Sequence, residues 1–124
     1  MPTTLRTILA AAALTITASA CGGGLSKNFR GNVAGQMDSI KGSLTQCYTD
    51  ALWRHRALRG TIILSFTVEA KTGRFLYPRV ARTELADLPF EACVISQVNK
   101  LALTKPEKKN VDISTYPLQF TPLN

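Results

Sequence analysis

The chain has 124 residues and a net charge of +7, from 15 Lys plus Arg against eight Asp plus Glu. This length allows one ordinary domain, and 45% hydrophobic with 19% charged residues excludes a wholly disordered chain. Such a basic balance usually suggests nucleic acid as a partner. The three cysteines are an odd number, so at least one needs a role outside an internal disulfide.

The first 20 residues have the pattern of an export signal. Arg6 precedes an apolar stretch over residues 8–18, which suits a signal peptide and is too short for a membrane span of roughly 20 residues. Small residues then stand before Cys21, as in a bacterial lipobox, although the lipobox favours Leu where this chain has Ala18. The same residues also fit an ordinary cleavage site, which would leave a free thiol. We favour lipidation of Cys21, because a reactive thiol is a liability in an oxidising compartment.

Export changes the interpretation of both the charge and the cysteines. Removal of residues 1–20 takes away Arg6 and leaves 14 basic against eight acidic residues, a charge of +6. We therefore expect no nucleic-acid partner, because the domain lies outside the cytoplasm. Once lipid modifies Cys21, Cys47 and Cys93 remain. Two cysteines in an oxidising compartment favour one disulfide over two buried free thiols.

The sequence divides into three predicted segments. A signal peptide covers residues 1–20, and a lipid-anchored flexible tether rich in Gly, Ser and Asn covers residues 21–35. The folded domain covers residues 36–124. It opens with a helix predicted over residues 36–53, where apolar residues recur at the three-four spacing of one helix face.

Three predicted strands and a second helix follow in the domain. Alternation of apolar and polar residues predicts a strand over residues 61–70, a hairpin turn with Gly73 in a left-handed conformation, and a return strand over residues 74–83. Asp87 then caps a second helix. Residues 111–120 form the last strand.

The prolines predict which strands lie at the edges of the sheet. Pro78 and Pro117 lack an amide donor, which places the second and third strands at sheet edges. The third strand then lies beside the first. The predicted fold class is α+β, with αββαβ order and a three-stranded antiparallel sheet of order 2-1-3 covered on one face by two helices.

The sequence gives no support for an enzyme, a metal site or a cofactor. His55 is the only histidine, and neighbouring arginines oppose its use as a general base. One histidine and two oxidised cysteines do not make a zinc site. No glycine-rich phosphate loop follows a predicted strand.

A basic patch follows the first predicted helix and consists of Arg54, Arg56 and Arg59. It has two interpretations. One is binding of an anionic envelope component such as lipopolysaccharide or peptidoglycan. The other, which we prefer, is an ordinary solvated helix end whose cations complement the helix dipole.

Several stretches together resemble a known family. They are IKGSLTQCY from Ile40, TIILSFTVEAKTG after Gly60, EACVISQV in the second helix, and the closing TYPLQFTP. Over roughly residues 37–122 this order is similar to the AgmX/PglI carboxy-terminal family, a relative of the TonB carboxy-terminal domain found in myxobacterial and related proteins. The resemblance implies a non-enzymatic, periplasmic interaction module of envelope machinery for gliding motility or transport.

The resemblance also implies a partner surface. In TonB the last strand offers its edge to a short partner segment, which is strand addition. Carried over to this chain, the partner-binding positions are Asp112, Ser114, Tyr116, Leu118 and Phe120. We expect the lipid anchor to lie in the outer membrane, because no Asp follows Cys21. A homodimer through the same exposed edges is the alternative assembly.

Overall fold

A computed structural model describes residues 27–122 of the chain, so the predicted signal peptide and Cys21 lie outside the described residues. Its elements, in chain order, are α1 (Lys27–Ser39), α2 (Lys41–Arg54), β1 (Gly60–Val68), β2 (Phe75–Thr83), α3 (Leu88–Val98) and β3 (Val111–Phe120). From α2 onward, this is the predicted order of helices and strands.

The three strands form one antiparallel sheet of order β2-β1-β3. This confirms the predicted α+β architecture. The most apolar strand lies in the centre, and each outer strand carries one proline, as an edge position allows. One sheet face is buried in the core with the apolar sides of the helices. Its β1 residues are Ile62, Leu64, Phe66 and Val68.

The prediction of a flexible tether up to residue 35 is wrong from Lys27 onward, because α1 begins there. Three apolar side chains spaced by four residues lie on one side of this helix and are buried in the core, which stabilises the helix despite two exposed glycines. They are Phe29, Val33 and Met37. Ile40, with ψ 12°, separates α1 from α2 and is also buried. The predicted helix over residues 36–53 is therefore two helices.

An aromatic cluster joins α2, α3 and β3 at the centre of the core. The ring centroids of Tyr48, Phe90 and Phe120 lie 5.0–5.9 Å apart in pairs, a favourable range for aromatic packing. The Tyr48 hydroxyl donates to the carbonyl of Leu58 at 2.5 Å. Burial raises the pKa of Tyr48 to about 12, with the nearby Arg59 charge acting in the opposite direction. The phenol therefore stays neutral and remains a hydrogen-bond donor.

The disulfide between Cys47 and Cys93 is present, as predicted, with their Cα atoms 5.8 Å apart. It joins α2 to α3 across a sequence separation of 46 residues. Loop-closure entropy gives such a crosslink about 4 kcal/mol of stabilisation. At the other end of the pair, Arg54 of α2 contacts Asp87 before α3, so the two helices are antiparallel.

Gly73 links the β1–β2 hairpin to the segment before β3. Its φ of +75° confirms the predicted left-handed conformation. The Gly73 N–H donates to the Glu69 carbonyl and the Leu103 N–H donates to the Gly73 carbonyl, both at 2.9 Å. A Cβ atom at this position would lie 2.4 Å from the Leu103 carbonyl oxygen. Only glycine therefore fits here without a shift of the backbone.

Candidate functional site

The edge of β3 is the first candidate site. Along one side, β3 pairs with β1 from Val111 opposite Val68 to Phe120 opposite Gly60. Its other side pairs with no strand among residues 27–122. The register shifts once, between Leu64 and Phe66 of β1. The result is a ten-residue strand with one unpaired edge.

Three of the five predicted partner-binding side chains are part of the core. Tyr116, Leu118 and Phe120 are at most 8% exposed. Their side chains anchor β3 to the helices, so only their main chain can meet a partner. The prediction named these positions for strand addition, which uses the main chain, so the burial of three side chains does not test it and it stays a prediction. Asp112 and Ser114 are exposed.

Two polar side chains on β3, Asp112 and Tyr116, differ in their hydrogen bonding. The Asp112 Oδ1 accepts a hydrogen bond of 2.7 Å from the Thr67 hydroxyl on β1. The Tyr116 hydroxyl is buried and has no hydrogen-bond partner within residues 27–122. Burial, together with the Asp38 carboxylate, raises the pKa of Tyr116 to about 12. The Asp112 hydrogen bond therefore ties β3 to β1, whereas Tyr116 contributes through its ring, which lies 6.0 Å from that of Phe66.

The opposite edge, on β2, is irregular. The register between β1 and β2 shifts twice, between Ile63 and Leu64 and between Ser65 and Thr67. Tyr77 lies at the second irregularity with φ +52° and an exposed side chain, and Pro78 follows it. Bulges, proline and edge arginines are the devices by which proteins prevent pairing at an edge strand.

The predicted basic patch is not a set of three free cations. Arg54 donates two hydrogen bonds to Asp87, from Nη2 to Oδ1 at 2.7 Å and from Nε to Oδ2 at 3.2 Å. The Asp87 side chain is only 2% exposed, so this carboxylate requires a cation. Arg56 and Arg59 are exposed and form no ion pair within residues 27–122. Arg54 therefore has a structural role as the partner of Asp87, and ligand binding by the basic patch stays a prediction.

Asp87 also caps the amino-terminal end of α3. Its Oδ1 accepts a hydrogen bond from the Phe90 N–H at 2.9 Å, which caps α3 as predicted. The Arg54 guanidinium and the Phe90 amide hold the pKa of Asp87 below its ordinary value of 3.8. His55 is exposed, and its Nε2 lies 3.5 Å from Asp87 Oδ2. Sequence reasoning missed the pairing of Asp87 with Arg54, because 33 residues separate them.

Within residues 27–122, no group of three His, Cys, Asp or Glu side chains could hold a metal ion. The helices in this range are all too short or too polar to cross a bilayer.

Comparison with known proteins gives one solved structure. No family model matches the sequence. No curated protein matches it either. The NMR solution structure of the Helicobacter pylori TonB carboxy-terminal domain is 14% identical, with 81% of this chain and 96% of that chain covered and a TM-score of 0.45. A likeness at this level carries no argument about function, and the resemblance to the AgmX/PglI family stays a prediction.

Proposed function

We propose that this chain is a non-enzymatic interaction module of the cell envelope, anchored in the outer membrane by lipid on Cys21. Its partner is an envelope protein of a motility or transport complex, and an extended segment of that protein adds as a fourth strand beside β3. The observation that supports this proposal is the difference between the two edges of the sheet. The β2 edge carries two irregularities and Pro78, whereas the β3 edge carries one irregularity across its ladder with β1.

The main chain of β3 suits strand addition. Main-chain hydrogen bonds supply the affinity in this mode of recognition, so burial of the Tyr116, Leu118 and Phe120 side chains does not prevent it. Those buried side chains hold the strand in place before a partner arrives. A preformed edge avoids the entropy cost of ordering the strand on binding.

Pro117 indicates which positions face outward. In an antiparallel pair, residues alternate between those that bond to the neighbouring strand and those whose N–H and C=O point away. A proline in a strand is tolerated where its missing N–H would face away from the neighbour. Since Pro117 stands opposite Ile63 in the ladder, we infer that Gln119, two residues later, also directs its N–H outward.

The envelope location rests on the sequence and on the disulfide. Disulfides form and persist in oxidising compartments outside the cytoplasm, and the Cys47–Cys93 bond fits such a location. The signal pattern of residues 1–20 and the small residues before Cys21 support lipidation. Replacement of Cys21 by Ser should release the protein from the membrane fraction. Continued membrane association of Cys21→Ser after a high-salt wash would contradict the anchor.

The alternative function, binding of anionic envelope components through the basic patch, has weaker support. Arg54 is engaged by Asp87, so Arg56 and Arg59 are the remaining cations of the predicted group. Exposed cations at a helix end also complement the helix dipole without any ligand.

Strand addition is tested by removal of one outward N–H. Gln119→Pro deletes this donor, whereas Gln119→Ala deletes the side chain and keeps the donor. We expect Gln119→Pro to reduce the amount of partner captured from envelope extracts about tenfold, and Gln119→Ala to capture as much as the unchanged protein. Circular dichroism and thermal unfolding check that both variants are folded. Equal capture by a folded Gln119→Pro variant would exclude the β3 edge as the binding site.

A further inference from the structure

The sheet face opposite the helices carries a mixture of polar and apolar residues. Residues directly opposite one another on neighbouring strands share a face, and residues two apart on a strand do so as well. On β1 this open face carries Thr61, Ile63, Ser65 and Thr67. Its β2 neighbours are Leu76 opposite Thr67, Arg79 opposite Ser65 and Arg82 opposite Ile63.

The irregularities of β2 place its two arginines on the same face. Arg79 and Arg82 are three positions apart, and in a regular strand they would point to opposite faces. The register shift between Ile63 and Leu64 inserts one extra β2 residue between them. Both arginines therefore stand beside the open face of β1. Their partners Ser65 and Ile63 are two residues apart, which corresponds to about 6.7 Å along a strand.

These two cations have no counterion among the residues that the structure describes. Arg79 and Arg82 are exposed, and neither forms an ion pair with a carboxylate of residues 27–122. The acidic residue of the open face on β3 is Asp112, which stands opposite Thr67 and accepts its hydrogen bond. It lies on the far outer strand. The nearer carboxylate is Glu84, two residues after Arg82, whose Oε1 accepts a hydrogen bond from the Thr61 N–H at 2.8 Å and forms no ion pair with either arginine. Beside the arginines, β1 contributes Ser65, which is only 9% exposed, and the half-buried Ile63, so the two exposed guanidinium groups are the groups available to a ligand here.

We propose that Arg79 and Arg82 form a docking site for an acidic, extended segment of a partner protein with carboxylates two residues apart. Each guanidinium binds one carboxylate, a pairing that the planar donor groups of arginine favour. Alternate side chains of an extended peptide repeat at about 6.7 Å, the same spacing as the two arginine positions. The segment lies over the open face, along β2. The bulge is thus the feature that creates the site.

Charge complementarity favours an acidic segment over a second copy of this chain as the ligand of Arg79 and Arg82. The residues from 27 to 122 carry 14 basic and eight acidic side chains, a net charge of +6, so a second copy of the chain would bring like charges together. The site is separate from the β3 edge, which lies on the other side of β1. Binding at this site does not require strand addition at β3, and either mode of binding can occur without the other.

The test uses two synthetic peptides of equal length and composition. Both are decapeptides with four Glu and six Thr residues, one with Glu at every second position and one with Glu at every third position. Fluorescence anisotropy measures their binding to the oxidised domain at low salt. We expect the first peptide to bind several-fold more tightly, because only its neighbouring carboxylates share a face at the arginine spacing.

Two double variants with the same loss of charge locate the site. Arg79→Gln with Arg82→Gln should weaken binding of the alternating peptide about tenfold, whereas Arg56→Gln with Arg59→Gln should change it less than about twofold. Gln119→Pro should leave it unchanged. Equal losses in the two double variants, or equal binding of the two peptides, would overturn the proposal. A third contradicting result is binding to phosphatidylglycerol vesicles that requires Arg79 and Arg82, with no binding of either peptide.

Discussion

The two outer strands occupy equivalent positions in the sheet and treat their free edges differently. β2 has two register shifts, an exposed Tyr77 in a left-handed conformation, Pro78 and two exposed arginines, Arg79 and Arg82. β3 has one register shift and Pro117, and its alternate side chains are locked into the core. Among the described residues, the β2 edge therefore has features that hinder pairing with another strand, whereas the β3 edge is more regular and pairs with no strand on its outer side.

The packing around β2 also differs from the packing around β3. α3 packs against β2 and is held by the Cys47–Cys93 disulfide and by the Arg54–Asp87 ion pair. The hairpin before β2 is held by Gly73 and Leu103. α3 also contacts β3, where the rings of Phe90 and Phe120 lie 5.0 Å apart, but more of its packing is against β2. We therefore expect the links between α2 and α3 to support β2 more strongly than β3.

The largest effect is expected from loss of the disulfide. Replacement of both Cys47 and Cys93 by Ala should lower the free energy of unfolding by about 4 kcal/mol, because the unfolded chain regains the entropy of a long loop. Chemical denaturation of the oxidised and variant proteins measures this loss. Since α3 packs against β2, hydrogen exchange should increase more in β2 than in β3. Equal increases in the two strands would contradict the asymmetry.

The next largest effect is expected at the hairpin. Gly73→Ala should lower the free energy of unfolding by about 3 kcal/mol, because the Cβ meets the Leu103 carbonyl and the backbone conformation is unfavourable. Gly31→Ala is the matched control. Nothing lies within 4 Å of a Cβ at that helical position, so the change should stabilise the protein by about 0.5–1 kcal/mol. Similar unfolding midpoints for both variants would show that Gly73 is not required.

A smaller effect is expected at Asp87. Asn also caps helices well, so Asp87→Asn removes mainly the ion pair with Arg54 and should cost about 1–2 kcal/mol near neutral pH. The folded protein lowers the pKa of Asp87, so its stabilisation is full above the ordinary value of 3.8 and is lost as pH falls through the lower folded value.

The stability difference between the original protein and Asp87→Asn should therefore shrink as pH falls below about 4. Denaturation series at several pH values measure this change. A difference that stays constant down to about pH 2 would contradict the role of the ion pair.

The smallest effect is expected at the β2 irregularity. Tyr77 adopts φ +52° with its side chain exposed, a conformation that costs glycine nothing. Tyr77→Gly should raise the free energy of unfolding by up to about 1 kcal/mol, and Tyr77→Phe should change it by less than about 0.5 kcal/mol. Thermal unfolding measures the stability of the Tyr77→Gly and Tyr77→Phe variants. Destabilisation by Tyr77→Gly would mean that the Tyr77 side chain itself supports the bulge.

Local patterns in the sequence predicted most of the fold. Alternation identified β1, and the turn at Gly73 and the cap at Asp87 were both found from residues with strong local preferences. The strand order followed from the prolines, because a missing donor is tolerated at an edge. The cysteine count and the inferred compartment predicted the disulfide.

Features that depend on long-range packing were missed. The composition of α1, with Gly31 and Gly35, suggested a tether, yet Phe29 and Val33 supply a buried face that stabilises the helix. The pattern at Phe29, Val33 and Met37 was a signal for it. The bulges of β2 could not be predicted, because they are defined only by register against β1. The burial of the Tyr116 side chain depends likewise on which face of the sheet the helices cover.

The most direct test of the central claim compares partner capture by the Gln119→Pro and Gln119→Ala variants. Intact protein, solubilised from its native membrane, serves as bait, and captured proteins are quantified by mass spectrometry. Strand addition at β3 predicts that one envelope protein is lost about tenfold with Gln119→Pro and retained with Gln119→Ala. If a folded Gln119→Pro variant retains every captured protein, the open edge of β3 is not the binding surface.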